Sequence, residues 1–552
     1  MRYFLSGLGV LAVFVGTLSG CGRAAPSKSG VAYRASARAD ASLAKTMAEM
    51  PASMAMAPAK SSEMPAPPGL LPIQTVPTEF NTEAYDRIYE NAFLAAAENP
   101  LSTFSIDVDT ASYSVVRRFL NQGQLPPKDA VRIEELVNYF TYDYKPPEGD
   151  VPFAAHVEVA PCPWNPDHRL ARIAIKGREI ERGRRPPANL VFLLDVSGSM
   201  NEPNKLPLVR SAMRMLAGQL DERDRVAIVV YAGASGLVLP SVPCSEKAKI
   251  LAAIDSLHAG GSTNAGEGIQ LAYATVREHF SPKGVNRVIL CTDGDFNVGI
   301  TNQGDLIRLI EEQAKSGAYL SVLGFGMGNY KDSNLEKLAD KGNGNYGYVD
   351  TIQEARKLLV EQLSGTLVTI AKDVKIQVEF NPLRVGAYRL VGYQNRMLRA
   401  EDFRDEKKDA GEIGAGHTVT ALYELVPPGK EAGLPKVDPL KYRQPVVASE
   451  AARSEEILTL KLAFKRPDQD KSEYLSFGIT DPGKTLDQAG GDLKFAAAVA
   501  CFGMLLRDSE HKGKSTFDLC LELAQAGKGP DSGGYRSEFL QLVSLAKTLG
   551  KR

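Results

Sequence analysis

The stretch from Asn189 to Met200, Asn-Leu-Val-Phe-Leu-Leu-Asp-Val-Ser-Gly-Ser-Met, constrains this chain more than any other. Val191, Phe192, Leu193 and Leu194 form an unbroken apolar run with no polar residue between them. A strand that alternates shows one face to water; a run without alternation suits a strand buried on both faces of a parallel sheet. The run then stops at Asp195, Ser197 and Ser199, three oxygen-bearing side chains at alternate positions. One carboxylate and two hydroxyls are hard ligands, suited to Mg²⁺, Mn²⁺ or Ca²⁺ rather than to zinc or copper. Gly198 lets the backbone turn tightly enough for both serines to face one point. Taken alone, the segment also reads as a strand end whose aspartate and serines cap the following helix.

Two further stretches bear on that choice. Gly260-Gly261-Ser262-Thr263-Asn264 places a hydroxyl in a glycine-rich loop just before the helical pattern from Ala265 to Phe280. Val288 to Asp295 is a second buried-strand pattern, and it ends on the carboxylate of Asp293. In an open α/β sheet, ligands gather beyond the carboxyl ends of the strands, where these three loops meet. Asp195, Ser197, Ser199, Thr263 and Asp293 together resemble the metal-ion-dependent adhesion site of the von Willebrand factor type A family. All five positions match, in the family's order. The resemblance implies that Ser197, Ser199 and Thr263 bind the metal directly, with Asp195 and Asp293 in a supporting shell. It also implies Mg²⁺ as the cofactor, with Mn²⁺ or Ca²⁺ as substitutes, and a vacant coordination position for an Asp or Glu of a partner protein. In the family, ligand binding can move the last helix, read here as Thr351 to Thr366.

From Asn189 to about Leu367 the pattern alternates strand and helix, which points to a parallel sheet covered on both faces. The fold class expected is therefore α/β, a doubly wound, mostly parallel central sheet. A small α+β domain is expected before it and a β-then-α region after it. In numbers, residues 188–367 form the type A domain, 80–187 an N-terminal domain, and 368–552 a β-rich module plus helices. The flanks, including Leu101 to Asp109 and Asp409 to Tyr423, resemble those of bacterial lipoproteins with a central type A domain.

The amino terminus reads as an address. Arg2 is a short positive region, an apolar core follows, and Leu18-Ser19-Gly20-Cys21 closes it. Small residues before a cysteine look like a lipoprotein signal over residues 1–20, with lipid attached at Cys21. The apolar run falls short of the roughly 20 residues that a span needs. Gly22 follows the lipidated position, and by analogy with Gram-negative sorting this favours the outer membrane. Residues 21–79 are rich in Ala, Ser, Pro and Met and read as a disordered tether. A flexible chain of about 60 residues has an end-to-end distance of about 40–45 Å.

Other functions are limited by what the chain lacks. A net charge of -1 gives no basic field for nucleic acid. The five cysteines beyond Cys21 form no Cys-x-x-Cys pair, so a structural zinc site has no support. Cys501 and Cys520 lie on adjacent helical patterns, and an exported chain would meet an oxidising compartment, but the sequence does not tell whether they bridge. Asp107-Val108-Asp109-Thr110 resembles a phosphatase motif of the haloacid dehalogenase type, but the hydroxyl needed two positions after the second Asp is replaced by Ala111; an aspartate capping a helix is the better reading. The expected function is a membrane-anchored, metal-dependent protein-binding module that is not an enzyme. The alternatives are an envelope scaffold with a structural metal, or a metal-dependent hydrolase. The hydrolase would need a general base, for which Asp295 and His258 are the nearby candidates.

Overall fold

A computed structural model describes residues 83–550, apart from 84, 233, 262–264, 295–302, 327–331, 363–364, 366, 409 and 431–448. The signal, Cys21 and the tether lie outside these residues, as do Thr263 and Asp295.

The apolar run forms strand Ala188–Asp195, with all eight residues buried. Arg225–Ala232 and Val285–Thr292 pair with it in parallel on either side. The sheet continues in parallel through Ala318–Phe325 and Tyr346–Val349, and ends at its other edge in the antiparallel strand Ala234–Pro243. Alternate residues of the central strand enter two different cores. Leu190, Phe192 and Leu194 pack with Leu206, Val209, Met213 and Leu216 of helix Leu206–Gln219. Val191 and Leu193 pack on the opposite face with Ile269 and Ala272 of helix Ala265–Glu278 and with Ile310 of helix Gln303–Lys315. Both faces are dry, and so the sequence shows no period of two. This is the α/β, mostly parallel, doubly wound sheet expected.

The flanks do not form one domain before the sheet and another after it. Strand Leu101–Ser105 pairs with Thr369–Phe380, and Asn165–Gly177 pairs with Thr418–Val426, all antiparallel. Two sheets arise from this interleaving. One carries Leu94–Ala95, Ala387–Val391, Thr418–Val426, Asn165–Gly177 and Phe153–Cys162 in that spatial order. The other is built around Thr369–Phe380, with Glu456–Lys465 and Ser472–Thr480 to one side. Ile173, Ile175 and Val419 of the first meet Ile376, Val378 and Leu460 of the second in a shared core. On the far side of the first sheet, Gly491–Arg507, Phe517–Ala526 and Tyr535–Leu549 pack with Ile133–Asn138 and Trp164. The expected boundaries at 187 and 368 therefore mark where the type A segment leaves and rejoins one composite flank. Separate flanking units give way because each flank contributes strands that bury a face only against strands of the other.

Two local readings change as well. The last type A helix is short: Ile352–Arg356 is α-helical and Lys357–Glu361 is a wider π turn. Residues 363, 364 and 366 of the expected helix lie outside the described residues. Asp109 is not a helix cap. Its Oδ1 accepts the Tyr346 N–H at 3.1 Å and its Oδ2 pairs with Arg396, so it ties the flank to the last strand of the type A sheet.

Candidate metal-binding site

Asp195 ends the central strand and Asp293 follows its parallel neighbour Val285–Thr292, so the parallel register sets both at the carboxyl edge. Asp195 is fully buried and Asp293 is 2% exposed. The Oδ1 of Asp195 accepts the Ser197 N–H at 2.9 Å, which closes the turn after the strand. Its Oδ2 accepts hydroxyl bonds from Tyr231 at 3.2 Å and Thr292 at 3.3 Å. The two serine hydroxyls lie 3.0 Å apart, Ser197 buried and Ser199 exposed to solvent. The turn thus presents a buried carboxylate below and two convergent hydroxyls above.

The glycine-rich loop meets this turn through its backbone. Gly260 N–H donates to Val196 O at 2.7 Å, and Gly198 N–H donates to Gly261 O at 3.3 Å. Gly261 has φ +99, and a Cβ there would sit 3.2 Å from the Ala232 carbonyl oxygen, so both conformation and space call for glycine. Thr263, two residues on, lies outside the described residues, and no distance is assigned to it. The structure therefore brings together Asp195, Ser197 and Ser199, with Asp293 close enough to act on Asp195 electrostatically.

Charge decides what the cluster can hold. Burial pushes the Asp195 carboxyl up to about 6, the Ser197 N–H and hydroxyl pull it back, and the charge of Asp293 adds to the rise. Among the described residues, no lysine or arginine pairs with Asp195. A buried carboxylate without a cation is costly. Such a carboxylate beside hard hydroxyl donors, with the buried Asp293 near it, fits a small divalent cation. One cation does reach the site. Lys205 Nζ lies 3.2 Å from Asp293 Oδ2 and is itself buried. Its side chain crosses Gly326, which has φ +83, and a Cβ at that position would collide with it.

Sequence reasoning missed three of these residues. Tyr231 and Thr292 orient Asp195, and only Thr292 carried a signal, its place beside Asp293. Lys205 stands at the N-cap of helix Leu206–Gln219, where the helix dipole disfavours a cation, and nothing in the pattern marks it. His258 is exposed and faces the carbonyl of Ser256, and Asp295 lies outside the described residues.

Comparison with known proteins adds the family context. The profile described as von Willebrand factor type A domain matches residues 189–362. One described as the C-terminal part of the uncharacterized protein YfbK matches residues 365–549, and one described as von Willebrand factor matches residues 79–172. The uncharacterized protein YfbK of Escherichia coli (strain K12) is 44% identical over 472 residues, 84% of this chain and 81% of that protein. The uncharacterized protein sll0103 of Synechocystis is 30% identical over 190 residues, 34% of this chain and 43% of that protein. A solved type A protein from Catenulispora acidiphila aligns with 15% identity and a TM-score of 0.38, covering 70% of this chain and 89% of its own. Type A domains generally mediate protein–protein interaction, often through a bound metal ion.

Proposed function

Because this chain belongs to the YfbK family of proteins with a central von Willebrand factor type A domain, we propose that it is a divalent-metal-dependent protein-binding module. The observation that carries this reading is the pair of buried carboxylates, Asp195 and Asp293, set beneath the adjacent hydroxyls of Ser197 and Ser199. Ser197, Ser199 and Thr263 would hold the metal directly, and Asp195 and Asp293 would balance its charge from below. Mg²⁺ is the first choice, with Mn²⁺ or Ca²⁺ as substitutes, because every donor is an oxygen. The bound cation supplies an open position for an anionic oxygen. Ser199, exposed at the rim, sets where a partner's Asp or Glu enters. Tyr231 and Thr292 fix Asp195 in place, so the site is preorganised before any partner arrives. We also propose that Cys21 is lipidated, so that the folded part hangs from a membrane facing the periplasm or the outside. No nucleic acid and no catalysed reaction belong to this reading.

A second reading draws on Lys205. Its ammonium on Asp293 neutralises part of the cluster from within the chain, as a purely structural charge site in a scaffold would require. Calorimetric titration of the protein with MgCl₂ separates the two. The binding module requires saturable Mg²⁺ binding that Asp293→Ala abolishes while the fold persists, and capture of an envelope protein in Mg²⁺ that EDTA reverses. Absence of Mg²⁺ binding in the wild type, with unfolding on Asp293→Ala, would favour the scaffold.

A further inference from the structure

Strand Val285–Thr292 leads to Asp293 at one edge of the sheet, and at the other edge it carries Arg287. Six residues separate them, about 20 Å at roughly 3.3 Å per residue. Arg287 is 2% exposed and lines a cavity of about 290 Å³, where the amino edge of the type A sheet meets the flank. Its Nη1 donates to Ser321 Oγ at 2.6 Å and its guanidinium lies over the Tyr319 ring. Its Nε has no hydrogen-bond partner. No carboxylate is within ion-pair reach among the described residues; Glu412, which also lines the cavity, acts on it only through space. Burial accordingly pulls this guanidinium below the ordinary arginine value. Buried arginines are normally held by carboxylates, in forked pairs where geometry allows. This one is held by a hydroxyl and a ring.

The same cavity has an excess of acid elsewhere on its wall. Arg396 is shared by four carboxylates: Asp107 at 3.1 Å, Asp109 at 3.1 Å, Glu336 at 2.9 Å and Asp340 at 3.0 Å. Arg132 offers partial relief, divided between Glu336 and Glu135. Asp107 and Asp340 line the cavity. Burial, then the neighbouring Asp107, pushes the Asp340 carboxyl up to about 6. The remaining wall is polar and uncharged in large part, with Ser105, Asn343, Asn345, Thr369 and Asn395. Of the two lysines that also line it, Lys341 is paired with Glu311 on the outside and Lys408 is exposed to solvent. One wall thus holds a buried guanidinium with no carboxylate in ion-pair reach among the described residues, and another holds four carboxylates on one guanidinium.

We propose that this cavity binds a small polar zwitterion of the amino-acid class, its carboxylate on Arg287 and its ammonium between Asp107 and Asp340. A phosphate fits less well, because its second charge would face Asp107, Asp340 and Glu412. Bound there, the ligand touches type A residues and flank residues together, and it stabilises their junction by linkage. The site is independent of the metal at the opposite edge.

Thermal melting and calorimetry on the full chain test this, with glycine, L-serine and L-glutamine as probes and with acetate and methylammonium as single-charge controls. At least one amino acid should bind saturably and raise the Tm, with affinity at least tenfold above either control. Arg287→Met should abolish that binding. Should Arg287→Met fail to fold, Asp340→Asn serves instead: it should weaken the amino acid at least tenfold and leave acetate unchanged. The proposal falls if none of the three amino acids binds, if acetate binds as tightly as they do, or if a folded Arg287→Met binds like the wild type. EDTA should leave the binding unchanged.

Discussion

The six-stranded type A sheet and the two-sheet β sandwich beside it are built by different rules. The first comes from one unbroken stretch of chain, in which no paired residues are more than 97 positions apart. The second comes from both ends. Leu101 of one flank faces Glu379 of the other, 278 positions later, and Arg169 faces Leu425. A unit of local pairings can form as soon as its own stretch is made, whereas a unit of distant pairings waits for the whole chain. The type A segment is in effect a long loop of the sandwich that carries its own core.

The most severe break of this comparison is to separate the parts. Residues 188–367 alone should keep a cooperative thermal melt, because their two cores are largely internal. Residues 368–552 alone should show none. Thr369–Phe380 would lose Leu101–Ser105, Thr418–Val426 would lose Asn165–Gly177, and two apolar sheet faces would meet water with unpaired edges. Circular dichroism on heating checks both fragments. A cooperative melt of residues 368–552 would show that the interleaving is incidental.

The second largest effect is expected where the two units are joined by charge. Arg117, on flank helix Ala111–Asn121, is buried and donates to Asp350 at 2.9 Å and Glu354 at 2.8 Å on the type A side. It also reaches Glu538 at 3.1 Å, on the last flank helix. Removing one partner of a buried ion network strands the others, at about 3–5 kcal/mol. Arg117→Met should therefore lower the urea midpoint far more than Glu538→Gln, whose carboxylate sits at the half-exposed rim. Equal losses would mean that the network is wetter than its burial indicates.

Lys357 lies in the same junction, buried over the Tyr139 ring and bonded to the Tyr139 carbonyl. Burial lowers its ammonium to about 7, against 10.5 when unfolded, although the charge of Glu354 resists this. Between those values the unfolded chain holds the extra proton, so stability rises with pH, by at most about 1.4 kcal/mol per pH unit. Below about 7 both states are protonated and this contribution is flat. Urea melts at pH 7, 8 and 9 should show the rise in the wild type, and Lys357→Met should remove it. A slope that persists in the variant would assign it to other groups.

How much of this could be read from sequence follows the same division. The central strand was legible because burial on both faces leaves a run such as Val191 to Leu194. Asp195, Ser197 and Ser199 were legible because one short turn carries all three. The individual flank strands were legible from alternation, as in Val374 to Phe380. Their partners were not, because period-two patterning says which face is buried and nothing about which strand buries it. Lys205, Arg117 and Arg287 were invisible for a related reason. A charged residue reads as surface unless its partners are known, and their partners lie 88, 233 and 34 positions away. Asp109 failed as a cap because a distant N–H, that of Tyr346, outcompeted the local one.

The smallest effects sharpen the comparison at its most local level. Thr351 opens the last type A helix and accepts the Glu354 N–H at 3.2 Å. Thr516 opens flank helix Phe517–Ala526 and accepts the Leu519 N–H at 3.1 Å. Both bonds span three residues, so each should form regardless of how its domain is assembled. Replacing either threonine by alanine should cost about 1 kcal/mol, the usual worth of such a cap. Chemical denaturation of both variants gives the two values side by side. Equality would show that the local rules are the same in the continuous unit and the composite one. A distinctly larger loss at Thr351 would locate the excess in Glu354, whose backbone N–H the cap holds and whose carboxylate Arg117 grips from the flank. In that case the last type A helix is kept in place chiefly by the flank, and a ligand that displaces it must first break that grip.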